Sequence, residues 1–205
     1  MIPTWYMLIL GLALGLVPPG WLLQVDCRYL SFEDLWSRVL RREDTLKTRR
    51  IRWWRLPWLW IDPVRGYTVT WFLLDGLRPV RKASPGMIYG EIGLTALLLL
   101  AVLTVQTGHR RNEQQSLAPV LFLGGMLAAF LPWTVWVPAF VLGVATAIAM
   151  NGFVAGFVFA ALAVLGAGYI YMSSLFTLGT ALLLLAAPIL LNWVRATRFV
   201  VPVRY

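Results

Sequence analysis

The sequence is poor in the side chains that do chemistry. Of its 205 residues one is cysteine, one is histidine and 13% are charged, against roughly 25% charged in a soluble domain. A lone Cys27 excludes an internal disulfide and any multi-cysteine metal or iron–sulfur site within the chain. A lone His109 excludes a three-histidine zinc site, a paired-histidine haem site and two-histidine phosphatase machinery. Glycine-rich phosphate loops are missing too, as is any Ser–His arrangement that would assemble a nucleophile. Charge is absent in blocks: with His109 neutral, none occurs from Met1 to Val25, from Ile92 to His109, or from Gln114 to Val194, a run of 81 residues.

What is present is apolar surface, at 60% of positions. A membrane-crossing helix needs about 20 mainly apolar residues, so the longest uncharged tract holds several. The reading is all-α: a polytopic integral membrane helical bundle of about six hydrophobic segments, with five crossings as the alternative, plus amphipathic interfacial helices. The segments fall at about 2–25, 84–107, 117–131, 135–150, 152–172 and 175–194. Pro18 and Pro19 kink or stop the first, Ser84-Pro85 starts the second, and Pro132, Asn151-Gly152 and Ser173-Ser174 cut the remainder. The segments of about 117–131 and 135–150 are short for a span, which points to local thinning or a dipping hairpin. Three regions follow: 1–25, an N-terminal transmembrane segment retained as an anchor; 26–86, basic, Trp-rich and cytoplasmic or interfacial; and 87–205, the bundle.

The net charge of +9 is concentrated, with 13 of 18 Lys and Arg between Asp26 and Gly86. This is a membrane-edge distribution, not the broad polar face of a nucleic-acid binder. Ser31 and Asp34 form a capping box ahead of an apolar stripe at Phe32, Leu35, Trp36, Val39 and Leu40. Lys47, Arg49, Arg50, Arg52 and Arg55 then interleave with Trp53 and Trp54, which suits anionic lipid headgroups at an interface. Asp62-Pro63 looks like a helix start and Gly76 with Pro79 a stop. The helix between them is too short to span and reads as interfacial or packed against the bundle.

The excess of basic residues in 26–86 places that region in the cytoplasm. With six crossings both termini then lie outside, and Arg195, Arg198 and Arg204 fall on the disfavoured side; five crossings would remove the conflict.

Few residues qualify for a site. Glu91 is the only acid inside a hydrophobic segment, able to bind a proton or cation, or to reach the interface or pair with Arg78 or Arg81. Asn151 is an amide that lines a cavity or ends a helix at a turn. Asp75-Gly76 with Arg78 resembles part of the acidic motif of CDP-alcohol phosphotransferases, but the aspartates that complete that motif are missing. Gly152, Gly156 and Ala160, and likewise Gly11 and Gly15, give small faces at helical spacing, where membrane helices approach closely. No catalytic, cofactor or metal residues are assigned. The expected function is a non-catalytic subunit or assembly scaffold of a larger membrane complex in the cell (inner) membrane. Its partners are anionic lipids and other membrane subunits, not nucleic acid. The alternative is a small transport or lipid-handling protein; an enzyme acting on a phosphorylated lipid ranks third.

Overall fold

The computed structural model describes residues 4–18, 27–31, 58–77, 85–110, 115–172 and 174–204. The stripe beginning at Phe32, the Lys47 to Arg55 stretch, and Arg78 and Arg81 lie outside them. Seven helices occur among the described residues: α1 Trp5–Leu16, α2 Trp58–Gly76, α3 Pro85–Gln106, α4 Val120–Phe130, α5 Trp133–Ala149, α6 Phe153–Tyr171 and α7 Leu175–Arg195. Three of them, α3, α6 and α7, are long and apolar enough to cross a membrane. The other uncharged helices, α1, α4 and α5, have 12, 11 and 17 residues, so six crossings do not follow from length and composition. The outside of the bundle is as apolar as its inside: Leu97, Ile170 and Val194 are 65%, 74% and 75% exposed.

Helix α1 stops at Leu16, with Val17 extended, because Pro18 has no N–H to continue the ladder. Helix α2 departs from the expected Asp62-Pro63 start. It begins at Trp58 and carries Pro63 inside, because packing along its length outweighs the one backbone hydrogen bond that proline removes. It lies antiparallel to α1: a Cβ at Gly76 would touch Leu8, one at Gly11 would touch Leu73, one at Gly15 would touch Val69, and Arg65 reaches the carbonyl of Val17. Helix α3 runs parallel to α1, since Gly15 abuts Val102 and the Gln106 side chain meets the Gly15 and Val17 carbonyls.

Helix α4 occupies the middle, with Phe122, Leu123 and Met126 essentially inaccessible. It crosses α2 backbone to backbone: a Cβ at Gly66 would overlap the Phe122 carbonyl, and one at Gly125 the Pro63 carbonyl. Helices α5 and α6 form a tight hairpin. Helix α7 starts on Ser174, whose hydroxyl accepts the Thr177 N–H at 3.3 Å, runs parallel to α3 with Phe176 against Tyr89 and Arg195 near Thr107, and closes with Thr197 N–H on Asn192 O and Ala196 N–H on Trp193 O. That closure needs a left-handed residue, commonly glycine; here it is Ala196, at φ 48°.

A sheet not expected from the sequence joins the helix ends. Strands β1 Cys27–Ser31, β2 His109–Arg110, β3 Gln115–Leu117 and β4 Arg198–Arg204 lie in the order β1-β4-β3-β2. β4 pairs antiparallel with β1 and parallel with β3. Such short strands, one with Pro202 inside, carry too few residues for a period-2 pattern to stand out. Phe199 of β4 meets Phe153 and Phe157 of α6 at 6.5 and 5.9 Å between ring centroids. One end of the bundle therefore carries the sheet, the C-termini of α1, α3 and α7, and the N-terminus of α6.

Candidate functional site

The last carbonyls of a helix have no partners within it. Those of α1 are met by two side chains from other helices. The Gln106 amide donates to Gly15 O at 2.6 Å and Val17 O at 3.0 Å. Arg65 Nη2 donates to Val17 O at 3.0 Å and to Gln106 Oε1. A guanidinium at a helix C-terminus also suits the negative end of the dipole. Arg65 Cζ stands 5.0 Å from the centroid of the Phe122 ring, a cation–π arrangement. Its Nη1 is 3.7 Å from Asp62 Oδ1, beyond hydrogen-bonding reach. Arg65 and Gln106 are 7% and 3% exposed. Arg65 Nε and Nη1 have no hydrogen-bond partner among the described residues.

A second polar group lies where α7 meets the sheet. The Asn192 side-chain oxygen is 2.7 Å from the Thr197 hydroxyl and 3.1 Å from that of Ser116, and the two hydroxyls are 3.0 Å apart. Two hydroxyl protons serve three oxygens. Arg195 Nη1 donates to Thr107 O at 3.4 Å, which ties the ends of α7 and α3 together.

Glu91 belongs to neither group. It lies 15 residues before Gln106, about 22 Å along α3. It is 4% exposed, and neither carboxylate oxygen has a hydrogen-bond partner among the described residues. Arg78 and Arg81, the partners offered by the sequence reading, lie outside those residues.

The remaining sequence candidates separate. Gly11 and Gly15 face α2 and α3, whereas a Cβ at Gly156 would stand 2.8 Å from Gly143 O and 2.9 Å from Ala147 Cβ. Ala160 closes on Gly143 from the same face. Gly152 is extended at the start of α6, with only Met150 O near its Cβ position, at 3.7 Å. Asn151 is exposed in the preceding turn at φ 50°. Among the described residues no group of three or more His, Cys, Asp or Glu is placed to hold a metal ion.

Sequence reasoning passed over Gln106, Asn192, Gly66 and Gly125. Gln106 and Asn192 are polar residues in the last turns of apolar helices, where they look like ordinary boundary residues. Pairing Gly66 with Gly125 needs the tertiary fold. No protein-family profile, curated protein or solved structure matches this chain.

Proposed function

We propose that the protein is a non-catalytic, multi-pass scaffold subunit of a larger complex in the cell (inner) membrane. In this reading all six hydrophobic segments are embedded, with α4 and α5 as a short hairpin and anionic lipid held by the Lys47 to Arg55 stretch. The observation behind it is how five buried or half-buried polar side chains at the sheet end are used. Gln106, Ser116, Asn192 and Thr197 bond to helix ends or to one another, and Arg65 directs Nη2 to a helix end and to Gln106. These groups fix helix against helix, as a docking platform requires. Purification in mild detergent tests the idea: stoichiometric membrane-protein partners support it, and a monodisperse chain that retains only lipid or a small solute refutes it.

Glu91 favours a second reading, a small transport or lipid-handling protein. A buried carboxylate without donors is costly and inside membranes usually marks a pathway. Glu91→Gln separates the two. Normal abundance with lost transport or solute retention selects the second reading, and unchanged partner binding selects the first.

A further inference from the structure

Helices α1 and α3 are neighbours and run the same way, both ending at the sheet. A chain that travels twice in one direction must return in between, and α2 makes that return, antiparallel to α1 over the matched contacts Gly76 to Leu8, Leu73 to Gly11, Val69 to Gly15 and Arg65 to Val17. Because α3 is long and apolar enough to cross a membrane, a helix lying alongside it occupies the same slab. The 19 residues of α2 reach about 28 Å at 1.5 Å per residue, close to the roughly 30 Å of a hydrocarbon core.

On α2, Arg65 and Thr70 are buried beside Gly66, Val69 and Leu73, Asp62 and Asp75 are half-buried toward its two ends, and the exposed side presents Ile61, Val64, Tyr67, Trp71 and Leu74. Those five recur every three or four residues and so share one face of the helix. The exterior of α3 is apolar as well, with Leu94 and Leu97 exposed. An aqueous surface would not be built this way.

We infer that α2 is an additional membrane-crossing helix whose Ile61, Val64, Tyr67, Trp71 and Leu74 face lies against lipid acyl chains, and that the sheet end of the bundle is cytoplasmic. The inference rests on the membrane reading above. Charge assigns the side. The segments that join the bundle at its sheet end (17–57, 107–119, 150–152 and 195–205) contain 14 of the 18 Lys and Arg, and the connection from α2 to α3 contains three, Arg78, Arg81 and Lys82. The positive-inside rule thus places the sheet in the cytoplasm. Arg195, Arg198 and Arg204 join the favoured side, and the conflict set by six crossings disappears.

Single cysteines at Ser37, Ala83 and Met150 in a Cys27→Ser background test the inference with an impermeant thiol reagent on intact and permeabilised cells. Retention of the protein in membranes after alkaline carbonate washing reports separately on the membrane reading. We expect Ala83→Cys to label in intact cells and Ser37→Cys only after permeabilisation. Met150 is exposed in the sheet-end turn before α6, so Met150→Cys should resemble Ser37→Cys. Ser37 and Ala83 on one side of the membrane would overturn the crossing. The opposite labelling order would overturn the cytoplasmic assignment. For the lipid face, Val64→Cys, Tyr67→Cys and Leu74→Cys carrying a bimane probe should lose at least half their fluorescence in vesicles of brominated phosphatidylcholine. Quenching no greater than at the buried Leu73→Cys would overturn lipid as the occupant and indicate a protein partner on that face.

Discussion

Gly66 and Gly125 let α2 and α4 meet without side chains between them, each glycine lying against a carbonyl of the opposite helix. A backbone carbonyl cannot turn aside as a flexible side chain can. Gly125→Ala and Gly66→Ala should each lower stability by about 3 kcal/mol or more, at or beyond the upper end of ordinary overpacking. Gly93→Ala is the control, because nothing lies within 4 Å of its Cβ position. The midpoint of thermal aggregation in detergent should fall several degrees for the first two and hold or rise slightly for the third, where alanine suits a helix interior better than glycine; equal behaviour of all three would refute the close crossing.

Arg65 and Gln106 form a unit, and their variants should not add. Gln106→Leu removes the cap on Gly15 O and Val17 O and takes a partner from a buried guanidinium, at a cost of about 1 to 3 kcal/mol. Arg65→Leu with Gln106→Leu removes the charge as well, so the double variant should be no less stable than Gln106→Leu alone. Strict additivity in a double-mutant cycle would show that the contact carries no coupling.

Glu91 has no hydrogen-bond partner among the described residues. Glu91→Leu should therefore raise the midpoint of thermal aggregation, since it removes buried oxygens that lack donors. A fall in stability would reveal a structural contact and remove the observation behind the transport reading.

Ala196 holds the left-handed position that ends α7. Ala196→Gly should stabilise the bundle by up to about 1 kcal/mol, the relief of left-handed strain exceeding the entropy glycine adds to the unfolded chain. Asn151→Gly should gain less, because asparagine tolerates this conformation better than alanine. Thermal scans of the two variants side by side decide it; a larger gain at Asn151 would contradict the argument.

Much of the helical layout was legible in the sequence because lipid writes it as uninterrupted apolar runs broken by Pro18, Pro132 and Asn151-Gly152. The breaks read at Pro132 and Ser174 fall within two residues of the ends of α4 and α7. The small faces at Gly11, Gly15 and Gly156 were visible as spacing, though spacing could not name α2, α3 and α5 as their neighbours. The start of α2 was placed at Asp62-Pro63 instead of Trp58, and the burial of Arg65 was not legible because its partners, Val17 and Gln106, are 48 and 41 residues away. Asn192 was passed over for a similar reason: its contact with Ser116, 76 residues away, exists only once β3 and β4 are paired.

The sheet also sets an order of events. The pair Ser31↔Val200 closes a loop of 169 residues, so β1 has no strand beside it until β4 has been made. Insertion can add helices one after another while the ends of α1, α3 and α7 remain unjoined. Contacts between distant residues form late and slowly, and this one waits for the whole bundle. A ribosome stalled before β4 would leave an unlatched intermediate with β1 unpaired and open to proteolysis, and adding β4 would bring protection in a single late step.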